Sequence, residues 1–154
     1  MYVPCMDMQS PSELQAKIEE RLRTIRILWA ALFLSNGVYY VFTRFAEQPK
    51  NPTPDSTISL ALLVIALSTI PVSLVFKKRA LALSVQHQRI EIVQQAYIVA
   101  CAINEAAALL GLVDFYVTGD RYYFALMIIA AFGQLLNFPR RQHLLDASFK
   151  SPTM

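Results

Sequence analysis

Residues 57–76, TISLALLVIALSTIPVSLVF, run for twenty positions without a charged side chain. At 1.5 Å of helical rise per residue this covers about 30 Å, the thickness of a bilayer's hydrocarbon core. The stretch has no polar face to turn toward water, so it cannot lie on a soluble core as an amphipathic helix does. It reads as a transmembrane helix, and the rest of the chain has to fold around it. The composition agrees: 55% of the 154 residues are hydrophobic and 16% charged, against about 45–50% and about 25% in soluble domains.

Three further stretches have the same character. Residues 25–45 are apolar apart from Arg26 and Arg44 near the ends and Ser35–Asn36 in the centre. Residues 93–117 carry Glu105 and Asp114, and residues 122–138 form a shorter fourth span. The expected fold is an all-α integral membrane protein, a four-transmembrane-helix bundle over 25–138. A cytoplasmic amphipathic segment (1–24) precedes it and a cytoplasmic tail (139–154) follows. The first apolar run starts late and lacks a small-residue cleavage site after a short core, so the first span is expected to stay in the mature protein.

Basic residues sort by loop. Eleven of the 14 lie on one side: Lys17, Arg21, Arg23 and Arg26 before or at the start of the first span, Lys77, Lys78, Arg79 and Arg89 between the second and third, and Arg140, Arg141 and Lys150 after the fourth. Arg44, Lys50 and Arg121 fall on the other. The positive-inside rule then puts both termini in the cytoplasm of a multi-pass cell-membrane protein, and a bacterial inner membrane is the expected location. Tyr39, Tyr40, Phe42, Phe45, Phe115, Tyr116 and Tyr122–Phe124 gather at the outer ends, with Trp29 at the inner, as interfacial belts.

Ser10 and Glu13 have capping-box spacing and Pro11 suits a first helical position. One long helix is expected from about residue 11 into the first span. Its Leu14, Ile18, Leu22 and Ile25 fall on one stripe, which either packs on the protein itself or docks on a lipid or protein surface. Glu19 and Arg23 are spaced for an i, i+4 pair. The second and third spans should run on as helices and turn within ALSVQHQR (82–89), while the segment after Pro139 is expected to be weakly structured.

Placing each span's midpoint at the bilayer centre lines up Asn36 with its neighbour Ser35, Ser68 with Thr69, and Asn104 with Glu105, and Gln134 lies about one turn inward. A carboxylate at that depth costs several kcal/mol (roughly 2.5–3.5 on insertion scales), so it should face the bundle interior and be hydrogen-bonded. The partners expected for Glu105 are Asn36, Ser68, Thr69 or Gln134, or the Leu67 carbonyl freed by Pro71. Asp114, within a turn of the outer interface, is expected to reach water or Arg121. Small residues at Ala96, Ala100, Ala107 and Gly111 suit close helix packing.

Soluble-type enzyme chemistry finds no support. Cys5 and Cys101 are far apart, no CxxC or His/Cys cluster occurs, and His87 and His143 both lie outside the spans, which excludes paired-imidazole haem ligation inside the membrane. No cofactor or metal is expected. Nor is nucleic-acid binding, because no basic stretch is interleaved with aromatics.

EAAALLGLV (105–113) resembles the ion-carrying helix of ATP synthase rotor-ring proteolipids, where Glu-Ala precedes Gly-Leu-Val. That likeness implies an ion-binding role for Glu105, although the second span lacks the glycines of the proteolipid partner helix. The layout is also similar to small uncharacterised bacterial four-span membrane proteins, whose third helix carries Glu-Ala before Gly and whose fourth ends in Phe-Pro-Arg, here Phe138–Arg140. The expected function is a small non-enzymatic subunit or assembly partner of a larger membrane complex, in contact with lipid and with other subunits or further copies of itself. The alternative is a proton- or cation-conducting oligomer that uses Glu105.

Overall fold

The computed structural model describes residues 11–47, 56–119 and 121–148. Cys5, Ser10 of the expected capping box, the Leu14 side chain, Lys50 and the prolines of the outer loop, and Lys150 lie outside the described residues. The described residues form five helices: α1 (Pro11–Phe45), α2 (Ser56–His87), α3 (Ile90–Val117), α4 (Tyr123–Leu136) and α5 (Arg141–Ser148). Three are long and apolar enough to cross a membrane, over Gln15–Phe45, Thr57–His87 and Ile90–Val117.

At 35 residues α1 reaches about 52 Å, so residues 11–24 and the first span are one continuous rod. α2 runs past its uncharged stretch to His87, since no further Gly or Pro interrupts it, and Pro71 sits on its exposed face without ending the helix. Gln88 then takes the left-handed conformation (φ 51°), and the Arg89 N–H donates to the Ser84 carbonyl at 3.1 Å. This αL stop turns the chain straight into α3, within the segment expected to turn.

α3 is the hub. Of its most apolar window 44% is buried inside the protein, against 11% for α1 and 17% for α2. Ala96, Ala100, Ala107 and Gly111 all face inward, as the small-residue spacing implied. A Cβ on Gly111 would stand 3.2 Å from the Tyr123 carbonyl oxygen and 3.2 Å from Met127 Cγ, so α3 and α4 meet there nearly backbone to backbone.

The chain departs from the sequence reading at two places. α4 has 14 residues, about 21 Å, and ends at Leu136, short of the expected span over 122–138. Pro139 disfavours helix at the residue before it, and the Asn137 N–H closes the last turn on the Gln134 carbonyl at 3.1 Å. After it comes a helix, not a weakly structured tail. Leu144 and Ala147 of α5 are buried among Ile18, Leu22 and Ile25 of α1 and Ile90, Val93 and Tyr97 of α3. Eight residues do not hold a helix in water alone, so this packing makes α5. The same contacts make Ile18, Leu22 and Ile25 of the α1 stripe internal core. Glu19 pairs across it with Arg141 at 3.6 Å.

Candidate functional site

The polar residues within the bundle fall into separate groups along α3. Asn104 of α3 is buried, and its Nδ2 donates to the Ala100 carbonyl at 3.1 Å. Its Oδ1 lies 3.4 Å from Ser73 Oγ of α2. Ser73 Oγ in turn accepts from Asn137 Nδ2 at 3.3 Å, and Asn137 also donates to the Gly133 carbonyl at 3.1 Å. Thus α2, α3 and the end of α4 are stitched by three small polar side chains. Gly133 gives them room: a Cβ there would sit 2.5 Å from Asn104 Oδ1.

Glu105 turns the other way. Successive residues are about 100° apart around a helix, so Asn104 and Glu105 cannot face the same neighbour. The Glu105 carboxylate accepts a hydrogen bond from Ser35 of α1, and the Tyr39 hydroxyl stands beside it. Its second oxygen is buried without a hydrogen-bond partner among the described residues.

None of the partners expected for Glu105 bonds to it. Ser68 is exposed on α2 and donates to the Ile65 carbonyl of its own helix, and Thr69 does the same to Ala66. Leu67 is half exposed on α2. Gln134 is buried, but its bonded atom is the backbone oxygen, which accepts from Trp29 Nε1 at 2.8 Å. Depth along each span aligned these residues, whereas direction around each helix separates them.

Asp114 departs most from expectation. It is fully buried, 0% exposed, and does not reach water. Its Oδ1 accepts from Ser59 Oγ of α2 at 2.7 Å and from Thr118 Oγ1 at 2.9 Å. This knot near the C-terminal end of α3 is ten residues from Asn104, about 15 Å. The interval is filled by Ala107 and Ala108 packed on Ala66, Leu126 and Ala130.

Ser59 and Ser73, which depth alone did not single out, had a signal in the sequence. Ser59, Ala66, Ser73 and Ala80 recur every seven residues in α2, the spacing of a helix seam. The first three are buried.

At the end of the bundle that carries the α2–α3 turn, Tyr97 Oη lies 2.6 Å from His143 Nδ1 and accepts from the Arg140 N–H at 3.2 Å. Lys77 is 8% exposed, donates to the Leu136 carbonyl at 3.3 Å and holds its ammonium 5.5 Å from the centre of the Tyr97 ring. Burial, then the nearby Lys77 charge, push the His143 imidazole below its usual range.

Two buried side-chain amides have neither atom hydrogen-bonded among the described residues, Gln134 in the interior and Asn36 beside a groove open to the membrane. Asn36 of α1 is only 5% exposed, yet neither its Oδ1 nor its Nδ2 has a hydrogen-bond partner among the described residues. It lines a groove of about 410 Å³ between α1 and α4, with Phe33, Gly37, Phe124, Ile128 and Ala131. A Cβ added to Gly37 meets nothing within 4 Å. Among the described residues no cluster of three or more His, Cys, Asp or Glu is placed to hold a metal. No protein-family model matches the chain, and no curated protein or solved structure matches it.

Proposed function

We propose that this chain is a small non-enzymatic integral membrane subunit, an assembly partner that receives a transmembrane helix of another subunit, or of a second copy, in its α1–α4 groove. The observation that carries this reading is the Asn36 amide. An unpaired buried amide costs about 1–3 kcal/mol, and in hydrocarbon no water can relieve it. A helix seated over Gly37 approaches the α1 backbone closely and can offer Asn36 a side chain or a carbonyl, the way small and polar residues join membrane helices. The largely uncovered flank of α1, with Leu34 and Val38 outward, supplies the apolar contact.

In this reading α4 is a fourth, short span, its hydrophobic mismatch offset by the long α2 and α3 beside it. Both termini are cytoplasmic, following the basic asymmetry, in a multi-pass arrangement suited to a bacterial inner membrane. The conducting alternative rests on Glu105. It is weakened by the separation of the polar groups: Asn104 and Asp114 are parted by an apolar layer, and Glu105 faces α1 instead of joining them.

A photoreactive amino acid at Ala131, in the groove, tests the proposal in cells. One discrete membrane-protein adduct is expected there, and none from the same group at exposed Val64 of α2. Equal, diffuse labelling from both positions would overturn it.

A further inference from the structure

A second concave surface opens at the end of the bundle that carries the α2–α3 turn. It is a cleft of about 420 Å³ between the inner half of α2 and the α4–α5 connection. Lys77, Lys78, Arg140 and His143 line it, and no carboxylate does. Among the described residues none of the four is in an ion pair. Lys77 is the fixed one. Its ammonium is drawn in by the Leu136 carbonyl and the Tyr97 ring and is held at the cleft wall. Lys78 and Arg140 are exposed around it.

The rest of the lining is apolar. Pro71, Leu74 and Val75 continue from the cations toward the middle of the membrane, over about 9 Å of α2. Lys77 is the first charge after the twenty-residue uncharged run, so the cations stand where hydrocarbon gives way to headgroups. A ligand that matches both halves carries an anion at its head and hydrocarbon directly behind it.

We infer that this cleft binds one anionic phospholipid, its headgroup phosphate among Lys77, Lys78 and Arg140 and an acyl chain along Pro71, Leu74 and Val75. Basic pockets between membrane helices are suited to such headgroups. Lysine serves a phosphate as a mobile point charge and arginine as a bidentate fork. A zwitterionic lipid is disfavoured, because its own ammonium would be pressed against the cationic cluster. A free phosphate lacks the chain that fills the apolar wall. The cleft shares no lining residue with the α1–α4 groove, so this inference stands or falls independently of the proposed assembly role.

The test uses the full-length protein, delipidated in detergent and titrated with phosphatidylglycerol, phosphatidylcholine or inorganic phosphate. Thermal stability and native mass are read together. Phosphatidylglycerol is expected to raise the melting temperature and to leave a single-lipid adduct, while the other two do neither. Lys78→Gln and Arg140→Gln change exposed side chains and should leave the fold intact. Each should weaken phosphatidylglycerol binding about fivefold, as expected for one cation removed at a membrane surface. Arg44→Gln, at the opposite end of α1, should not weaken it. Equal binding of phosphatidylcholine, an equal shift with inorganic phosphate alone, or unchanged affinity in both cleft variants would overturn the inference.

Discussion

Gly133→Ala adds one methyl group at the tightest point of the bundle. Its Cβ would lie 2.5 Å from Asn104 Oδ1 and 2.8 Å from Asn104 Cγ, where real Cβ contacts stay beyond 3.0 Å. Either α4 moves away from α3 or Asn104 swings out of its place. The first overpacks a close helix contact, at about 1–3 kcal/mol. The second gives up the Asn104–Ala100 bond and the Ser73 contact, at about 1–3 kcal/mol for a buried polar group left unpaired. Alanine's better helix propensity returns about 1 kcal/mol. A net loss of up to about 2 kcal/mol follows, or about 1–3 kcal/mol relative to an alanine placed at an open helical glycine, read as reversible unfolding by denaturing detergent in mixed micelles. Gly37→Ala is the internal control, because its Cβ meets nothing and it should be neutral or stabilising. Asn104→Ala should absorb much of the Gly133→Ala cost, with a coupling of about 0.5–3 kcal/mol between the two. If Gly133→Ala unfolds at the same detergent fraction as Gly37→Ala, the α3–α4 contact is not as close as described and the polar stitch does not depend on it.

Gly111→Leu should disrupt the fold more severely than any single change on the lipid face, because Tyr123 and Met127 block its side chain; yield and unfolding midpoint check this. Glu105→Gln keeps an acceptor for Ser35 and should preserve stability, whereas Glu105→Leu should lose about 1–3 kcal/mol; pH-driven ion flux in liposomes that vanished in the Gln variant would instead favour the conducting alternative. Lowering the pH should loosen α5. The folded His143 is depressed below the ordinary imidazole value, so the unfolded chain binds more protons, and stability falls as pH drops through about 6.5 toward the folded value. Labelling of a cysteine at buried Ala147 should therefore rise from pH 7.5 to 5.5 in an otherwise wild-type chain and change little in His143→Gln; a rise that survives that substitution would remove His143 as the cause.

The fold was legible where one physical rule dominates. An uncharged run of bilayer length fixes α2 whatever its neighbours do, and the small residues of α3 could be read as its contact face. The candidate site was legible in depth and not in direction. Asn104 and Glu105 share a level and face different helices, and Ser68 belongs to the level of Glu105 while pointing away from the bundle. For Asp114, closeness to the membrane edge is not access to water, because the heptad seam of α2 brings Ser59 to it. α5 could not be read from RQHLLDAS alone, because its burial is supplied by Ile18 and Leu22, over a hundred residues earlier in the chain. The open amide of Asn36 was visible only as one more polar residue at mid-depth until the groove beside it was known.

The most direct measurement of the assembly role is the native mass of the protein gently extracted from its own membrane, for the wild type, for Gly37→Trp and for Val64→Trp. The wild type is expected as one defined complex heavier than the 17.4 kDa chain. Gly37→Trp fills the groove beside Asn36 and should release a folded monomer, while Val64→Trp on the exposed side of α2 should keep the complex. A wild-type monomer carrying only lipid, or a complex indifferent to Gly37→Trp, would contradict the proposal.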